Sequence, residues 1–373
     1  MEPTELDEKA CMITLVGEFT ASDENALLGA YRQAVVDRCR AVILDFTEMS
    51  HMDSAGASLL VRLSVEARRE RQPLAAFGLG RDYREVFRLT GLDRALRVRD
   101  SLALAIAACG ASPSSVPPDS GVDAAEASPH LHPTNEARTS ATWANPTSGL
   151  KVPQMPPEAL NLNVQGRRVV GPTEGFGPLW QKTYRLLLHG ITPTEAIRVL
   201  KENFPSFQPP ENRFYPSAAG IQPGEVVLIN ASTAGLPVAT GVLVLYADET
   251  SFALMTPQGH PESGWVTFSA LAEDGHTLVQ IRGLARANDP LYEFAFRLAG
   301  SSIQQRIWRH VLSSMASHLG AEASVEVQKL CVDPGLQWGE VGNLWFNAQM
   351  RTVVYLTLTW PFRRLRRLLR AAH

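Results

Sequence analysis

Residues 49–56 read Met49-Ser50-His51-Met52-Asp53-Ser54-Ala55-Gly56, and they are the most informative residues for the fold of the N-terminal part of the chain. The apolar run Val42-Ile43-Leu44 before it predicts a buried strand, and Leu59, Leu60 and Leu63 after it share one face of a helix. The stretch therefore joins a strand to a helix start, where backbone N–H groups lack intrahelical partners. Two roles are open here: Asp53 or Ser54 caps the helix, or Ser54 carries a phosphate that the helix N-terminus tolerates.

The residues around this stretch predict strands that alternate with helices. The predicted strands are 12–16, 41–46 and 74–77, with a weaker one at 96–98, and the predicted helices begin at Ser22, after Asp53 and at Arg81. The last of these helices ends at Gly91, a residue type suited to a left-handed cap. This alternation predicts a sheet with helices packed on it.

Four landmarks occur in order: Gly17-Glu18, Val42-Ile43-Leu44-Asp45, Met52-Asp53-Ser54-Ala55-Gly56 and Leu89-Thr90-Gly91-Leu92. With them, the region from about residue 10 to about residue 108 resembles a STAS domain, the anti-sigma-factor antagonist module of bacteria. The resemblance implies a mixed sheet with helices largely on one side. It also implies a protein partner, often an anti-sigma factor with serine kinase activity, and a serine whose phosphorylation switches binding. That serine falls on Ser54, and Ala55 stands where the family often has a second hydroxyl. Because Leu59 and Leu63 set the buried face of the helix, we expect Ser54 at its rim, exposed enough to meet a partner or kinase.

A change of composition predicts the domain boundaries. Residues 110–149 contain six prolines and only four large apolar side chains, Val116, Val122, Leu131 and Trp143. Such a segment buries too little surface to offset its ordering entropy, so we interpret it as a flexible linker. The predicted domains are therefore residues 1–109 and residues 150–373.

The C-terminal part predicts an antiparallel sheet and one long helix. Thr192-Pro193-Thr194-Glu195 is a capping box with proline at the first helical position, after a predicted strand at 180–188. Short apolar runs with turn signals then predict strands at 225–230, 241–247, 251–256, 265–271 and 277–287. A final long helix has Ile303, Ile307, Val311, Met315 and Leu319 in one stripe, and 324–332 is a further strand candidate.

This order of elements is typical of a helix-grip fold, in which a curved sheet wraps a long helix and leaves an apolar cavity. Thr256-Pro257-Gln258-Gly259-His260-Pro261-Glu262-Ser263-Gly264, with Phe268, resembles a bacterial family of unassigned function related to the START-like (SRPBCC) superfamily. Residues 212–215 and 223–225 are consistent with it, and the resemblance covers about residues 170–320. It implies a fold shared by lipid carriers, hormone receptors, cyclases and hydroxylase subunits.

Four side chains are ligand-binding candidates in this part: His260, Glu262, Gln280 and Arg282. His260 and Glu262 either form an acid/base pair or hold the polar end of a ligand, or they only satisfy a proline-bent turn. Gln280 and Arg282 alternate with Val279 and Ile281 on a strand, so their face either binds a carboxylate or is solvated. No catalytic, metal-ligating or cofactor-binding motif occurs, so the sequence predicts no catalytic residue, no bound metal ion and no cofactor.

Composition limits the class of protein. Hydrophobic residues make up 45% and charged residues 20% of the 373 residues, which excludes a chain that is disordered throughout. The net charge of −3 excludes nonspecific electrostatic binding of nucleic acid by the whole chain. The four scattered cysteines are expected to be free thiols in a reducing cytosol. The acidic N-terminus is unlike a signal peptide, so a cytoplasmic location is expected.

The chain ends with a basic segment, Phe362–Arg370, in which five arginines interleave with Phe362, Leu365, Leu368 and Leu369. This spacing suits a short amphipathic helix that either packs on its own domain or makes weak peripheral contact with an anionic membrane or a partner.

Two functions follow as hypotheses. In the first, the chain is a bacterial cytoplasmic regulatory protein: the STAS module binds a partner of the anti-sigma type, switched by phosphorylation of Ser54, and the START-like domain binds a hydrophobic, lipid-like molecule. In the alternative, the START-like domain is an enzyme of unknown reaction that the STAS module targets or assembles.

Overall fold

The computed structural model describes residues 1, 3–5, 10–110, 141–152, 154–233, 235–299, 301–322 and 324–371. The side chains of residues 233, 299, 301–303 and 362–371 are outside this description, and so are the predicted roles of Ile303 and of the Phe362–Arg370 side chains. The chain divides into two units, Met1–Pro146 and Thr147–His373.

The first unit has a mixed sheet with helices. Four strands, β1 (Thr4–Glu5), β2 (Ala10–Thr14), β4 (Ala41–Asp45) and β6 (Leu74–Phe77), pair in the order β1-β2-β4-β6. Only β1 is antiparallel to its neighbour. The helices are α1 (Glu24–Val36), α2 (Ser54–Arg69), α3 (Arg81–Thr90), α4 (Leu92–Ala95) and α5 (Leu102–Gly110). The predicted end of α3 at Gly91 is confirmed by its left-handed φ of 76°.

Two short strands of this unit are absent from the sequence prediction. β3 (Gly17–Phe19) and β5 (Met49–Met52) form a separate parallel pair directly before α2. The polar character of residues 47–51 predicts an end to strand structure, because such a stretch cannot continue a buried run. Pairing with β3 gives it backbone hydrogen bonds that its own side chains do not predict. The weaker strand predicted at 96–98 is reduced to one bridge, between Ala76 and Val98.

The cysteine prediction is wrong for two of the four residues. Cys11 of β2 and Cys39, just before β4, form a disulfide with a Cα–Cα distance of 5.7 Å. Parallel pairing of β2 and β4 brings these residues together although they are 28 positions apart. Neither Cys109 nor Cys331 takes part in a disulfide, so both keep a thiol.

The second unit is one antiparallel sheet of eight strands with the order β14-β7-β13-β12-β11-β10-β9-β8. The strands are β7 (Leu179–Leu188), β8 (Asn212–Tyr215), β9 (Val226–Thr233), β10 (Leu236–Ala247), β11 (Ser251–Met255), β12 (Glu262–Glu273), β13 (His276–Ala287) and β14 (Glu326–Asp333). The helices are α6 (Pro193–Asn203), α7 (Pro290–Ala299), α8 (Ser301–His318) and α9 (Ala348–Ala371), with a 3-10 helix at Trp338–Phe346.

The sheet and α8 share one core, so the predicted helix-grip fold is confirmed. Trp308, Val311, Leu312 and Met315 of α8 belong to the same buried cluster as the strand residues. At its centre the rings of Phe252 and Phe268 stack with centroids 4.5 Å apart. Thr192 caps α6 as predicted, since its hydroxyl accepts the Glu195 N–H at 3.2 Å.

The structure differs from the sequence prediction at both ends of this unit. Residues 111–140 of the predicted linker lie outside the described residues, but Trp143 near its end is buried in the first unit. The last helix is not confined to Phe362–Arg370, because α9 already begins at Ala348 and runs through Pro361. Helix α7 has no counterpart in the sequence prediction.

Candidate functional site

The first candidate site is the start of α2. Asp53 caps this helix, and its carboxylate accepts the Gly56 N–H at 2.7 Å. Ser54 follows as the first helical residue, as predicted. The expectation that Ser54 is exposed at the rim is wrong, since its side chain is fully buried together with residues 55–58. The helix packs with its first turn against the domain, which the periodicity of Leu59 and Leu63 alone does not reveal.

Three neighbours hold this helix start from different sides. A Cβ on Gly56 would lie 2.4 Å from the Phe19 carbonyl oxygen, so only glycine fits there. The Tyr83 hydroxyl accepts the Met52 N–H at 2.8 Å. The Trp143 indole N–H donates to the Met52 carbonyl at 3.1 Å, and its ring is buried. The last part of the predicted linker, which contains Trp143, therefore covers the backbone two residues before Ser54.

The second candidate site is a cavity of about 590 Å³ between the sheet and α8, which confirms the predicted cavity. The apolar wall of the cavity is formed by strand residues, among them Phe214, Val242, Leu254 and Val266. Helix α8 contributes Ile307 and Trp308. Helix α7 closes another side with Ala295 and Phe296. The volume falls within the range of small-molecule sites, and the wall is largely apolar.

Three polar side chains meet on the wall of this cavity. The Gln304 amide donates to the Glu262 carboxylate at 2.7 Å, and its amide oxygen accepts from the Lys182 ammonium. Burial raises the pKa of Glu262, while the charge of Lys182 and the Gln304 hydrogen bond oppose that rise. We call Lys182, Glu262 and Gln304 the polar cluster. It offers a cation, an amide and a carboxyl group of raised pKa to one end of a bound molecule.

His260 also lines the cavity, but its ring is engaged with its own turn. Nδ1 lies 3.1 Å from both the backbone nitrogen and the carbonyl oxygen of Glu262. Burial lowers the pKa of His260 to about 4, so the imidazole is neutral near pH 7. One ring nitrogen is thus used to shape the turn that presents Glu262.

Gln280 and Arg282 lie on the opposite face of the sheet from the cavity. Side chains alternate along β13: Val279 and Ile281 enter the core, and Gly283 and Ala285 line the cavity. Gln280 and Arg282 therefore point away, and neither is among the lining residues. Both are buried, so the expectation of a solvated face is wrong as well.

Lys182 and Gln304 were missed by the sequence prediction, although each has a readable signal. Lys182 interrupts the alternating face Trp180, Tyr184, Leu186 and Leu188 of β7. Gln304 stands four residues before Trp308, on the buried face of α8. A polar residue within an apolar face is the pattern that marks a lined cavity, because a close-packed core would leave it without partners.

Residues 4–100 match the protein family described as "Mlab, STAS domain". No curated protein sequence matches the chain. Among solved structures, the chain is similar to the di-domain ARO/CYC StfQ from the steffimycin biosynthetic pathway at 12% identity, covering 39% of this chain and 53% of that one with a TM-score of 0.31. A Thermus thermophilus protein is 15% identical over 37% of this chain and 96% of its own, with a TM-score of 0.30. Major latex-like protein 151 of Panax ginseng is 15% identical over 37% and 98%, with a TM-score of 0.24.

Proposed function

We propose that the chain is a two-part regulatory protein: the STAS domain at residues 4–100 binds a protein partner, and the helix-grip unit binds an apolar small molecule with one oxygen-bearing polar end. The observation that carries the ligand part is the cavity of about 590 Å³ with the polar cluster on its wall. As a working location for both activities we propose the cytoplasm, where a STAS partner of the anti-sigma type would be met.

The chemistry of the wall defines the ligand class. Apolar side chains from the sheet and α8 favour a hydrocarbon or ring body, because transfer from water stabilises it by about 25 cal/mol per Å² of apolar surface. Lys182 and Gln304 supply donors, and Glu262 supplies an acceptor that becomes a donor when it is protonated. A hydroxyl or carboxyl group at one end of the ligand satisfies these groups, as in a fatty acid or a sterol-like alcohol.

The test is native mass spectrometry of the full chain purified from its own cells, followed by titration with 1-anilinonaphthalene-8-sulfonate as a defined apolar probe. We expect a co-purifying mass and an affinity for the probe that Ala285→Phe lowers at least about tenfold, since this residue lines the cavity. Ala272→Phe makes the same change at an exposed position of β12 and serves as the control. Unchanged affinity in Ala285→Phe would place the probe elsewhere and reject the cavity as a ligand site.

For the first unit we propose that phosphorylation of Ser54 weakens partner binding. A phosphate would add a charge of about −1.5 to −2 beside Asp53, and the start of α2 would offset part of the repulsion. Ser54 is buried, so a kinase must reach it from a locally opened state. The segment bearing Trp143 is the neighbour best suited to open, because residues 144–147 after it form no helix or strand. Opening would break the hydrogen bond from its indole N–H to the Met52 carbonyl.

The phosphorylation proposal is tested in two steps. Mass spectrometry of the protein from its own cells should find phosphate on the peptide that contains Ser54 and none on the same peptide of Ser54→Ala. Partner capture should then be strong for wild type and Ser54→Ala and weak for Ser54→Asp. Equal capture by all three proteins would leave Ser54 as a structural residue of α2.

A further inference from the structure

Residues 353–361 of α9 are largely apolar, and none of their side chains is buried. The first turns are anchored: Thr352 is buried, and its hydroxyl accepts the Ala239 N–H of β10 at 3.1 Å. From Val353 to Pro361 every described side chain is exposed or half-buried. Most of that stretch is nevertheless apolar: Val353, Val354, Tyr355, Leu356, Leu358 and Trp360.

The elements beside the start of α9 add to this surface. Trp345, in the 3-10 helix that leads into α9, is 84% exposed, and Leu298 of α7 is 73% exposed. Hydrogen bonds tie these elements together, since the Asn343 amide donates to the Asn288 carbonyl at 3.1 Å and the Gln349 N–H donates to the Tyr292 hydroxyl at 2.9 Å. Single exposed apolar residues scattered over a surface are ordinary, but several large ones around one junction indicate a binding surface.

Charge along the sequence of α9 indicates what covers this surface. Residues 353–362 contain no charged side chain, and residues 363–370 contain five arginines and no acidic residue. Tryptophan and tyrosine are favoured at the boundary between lipid and water, and clustered arginine is attracted to anionic headgroups by about 1 kcal/mol per residue. Within the described part of the chain, no helix is both long and apolar enough to cross a bilayer.

We propose that residues 353–361 of α9 and the 3-10 helix before it form a peripheral binding surface for anionic membranes. The apolar side chains enter the boundary between headgroups and acyl chains, and the positive charge of residues 363–370 attracts the chain to anionic lipid. A second copy of the chain would bring the same positive segment, whereas an anionic bilayer complements it. This surface is distinct from the cavity and from the start of α2.

The test is co-sedimentation of the full chain with vesicles. Vesicles of phosphatidylcholine and phosphatidylglycerol at about 3:1 should bind at least about tenfold more tightly than pure phosphatidylcholine vesicles, and raising the salt from about 0.05 to about 0.5 M should remove most of that difference. A variant with Trp345→Ser, Val354→Ser and Leu358→Ser should lose at least about tenfold in affinity, because all three side chains are exposed.

A matched control keeps the result interpretable. Leu187→Ser, Leu236→Ser and Leu271→Ser change three exposed leucines of the same unit that lie outside α9, and this variant should bind like wild type. Glutamine at all five arginines of 363–370 should abolish the preference for phosphatidylglycerol. Absence of vesicle binding would overturn the proposal, and a dimer that the triple serine variant dissociates in analytical ultracentrifugation would then assign the surface to a second copy. Equal binding to both kinds of vesicle would also overturn it.

Discussion

The start of α2 in the first unit and the cavity in the second differ in how much room they leave around their polar groups. At Gly56 the backbone of β3 leaves no room for one methyl group. In the second unit, the polar cluster borders about 590 Å³ of open volume. The first arrangement can respond to a partner or to a change of charge only by opening, whereas the second can take up a molecule without rearranging its core.

Gly56→Ala should produce the largest effect. The added Cβ would lie 2.4 Å from the Phe19 carbonyl oxygen and 2.9 Å from its ring, so backbone must move. We expect the free energy of unfolding of the first unit to fall by about 3 kcal/mol. This free energy is measured by urea unfolding, with hydrogen exchange of peptides from the first unit as the readout.

Gly29→Ala is the control for this change. Gly29 is also helical, but a Cβ there meets nothing within 4 Å, so the substitution should stabilise the unit by about 0.5–1 kcal/mol. Similar losses in both variants would contradict close packing at the start of α2.

The stability of the second unit should depend on pH through His260. Its folded pKa is lowered from 6.5 to about 4, so the unfolded chain binds more protons between these values. Stability is therefore full above about pH 6.5 and falls as the pH drops toward 4, by on the order of 2–3 kcal/mol. The raised pKa of Glu262 makes stability fall as the pH rises, which opposes the effect of His260. The effect of His260 is therefore measured in the Glu262→Gln background.

Hydrogen exchange of peptides from the second unit across pH 4–7 measures this effect. Removing His260 by adding His260→Asn to Glu262→Gln should lower the slope of stability with pH, because the raised pKa values of Asp289 and Glu340 act equally in both variants. An equal slope with and without His260→Asn would assign the pH dependence to other groups.

Trp143→Phe should have a moderate and local effect. Phenylalanine keeps an aromatic ring in the buried site but removes the donor to the Met52 carbonyl. We expect protection of residues 141–146 from hydrogen exchange to fall about tenfold, which corresponds to about 1.4 kcal/mol. Trp345→Phe, at an exposed position, should leave exchange unchanged. Unchanged exchange in Trp143→Phe would mean that the indole N–H does not hold this segment.

The smallest effect on stability is expected for Ala285→Phe, the variant that fills the cavity. Because the new ring enters open volume, the free energy of unfolding should change by less than about 1 kcal/mol even though probe binding is lost. Thermal unfolding in parallel with the probe titration measures both. A loss as large as that of Gly56→Ala would remove the contrast between the two sites.

Local sequence patterns were sufficient to predict features whose hydrogen-bond partners lie close by in the sequence. The cap at Thr192, the left-handed end of α3 at Gly91 and the helix start at Asp53 were all predictable, because each depends on residues within four positions. The alternation on β13 was also visible, but the role of each face was not. Which face of a strand borders a cavity depends on the helix that packs across it.

Hydrophobic periodicity and helix caps are encoded locally, so the two folds, their order along the chain and the candidate serine could be predicted from the sequence. Tertiary packing alone buries Ser54, brings Trp143 to Met52 and joins Cys11 to Cys39. It also decided that Lys182 and Gln304, 122 positions apart, join Glu262 on one wall. These contacts form between residues distant in sequence, and their partners are set by how strands and helices pack rather than by any pattern around each residue.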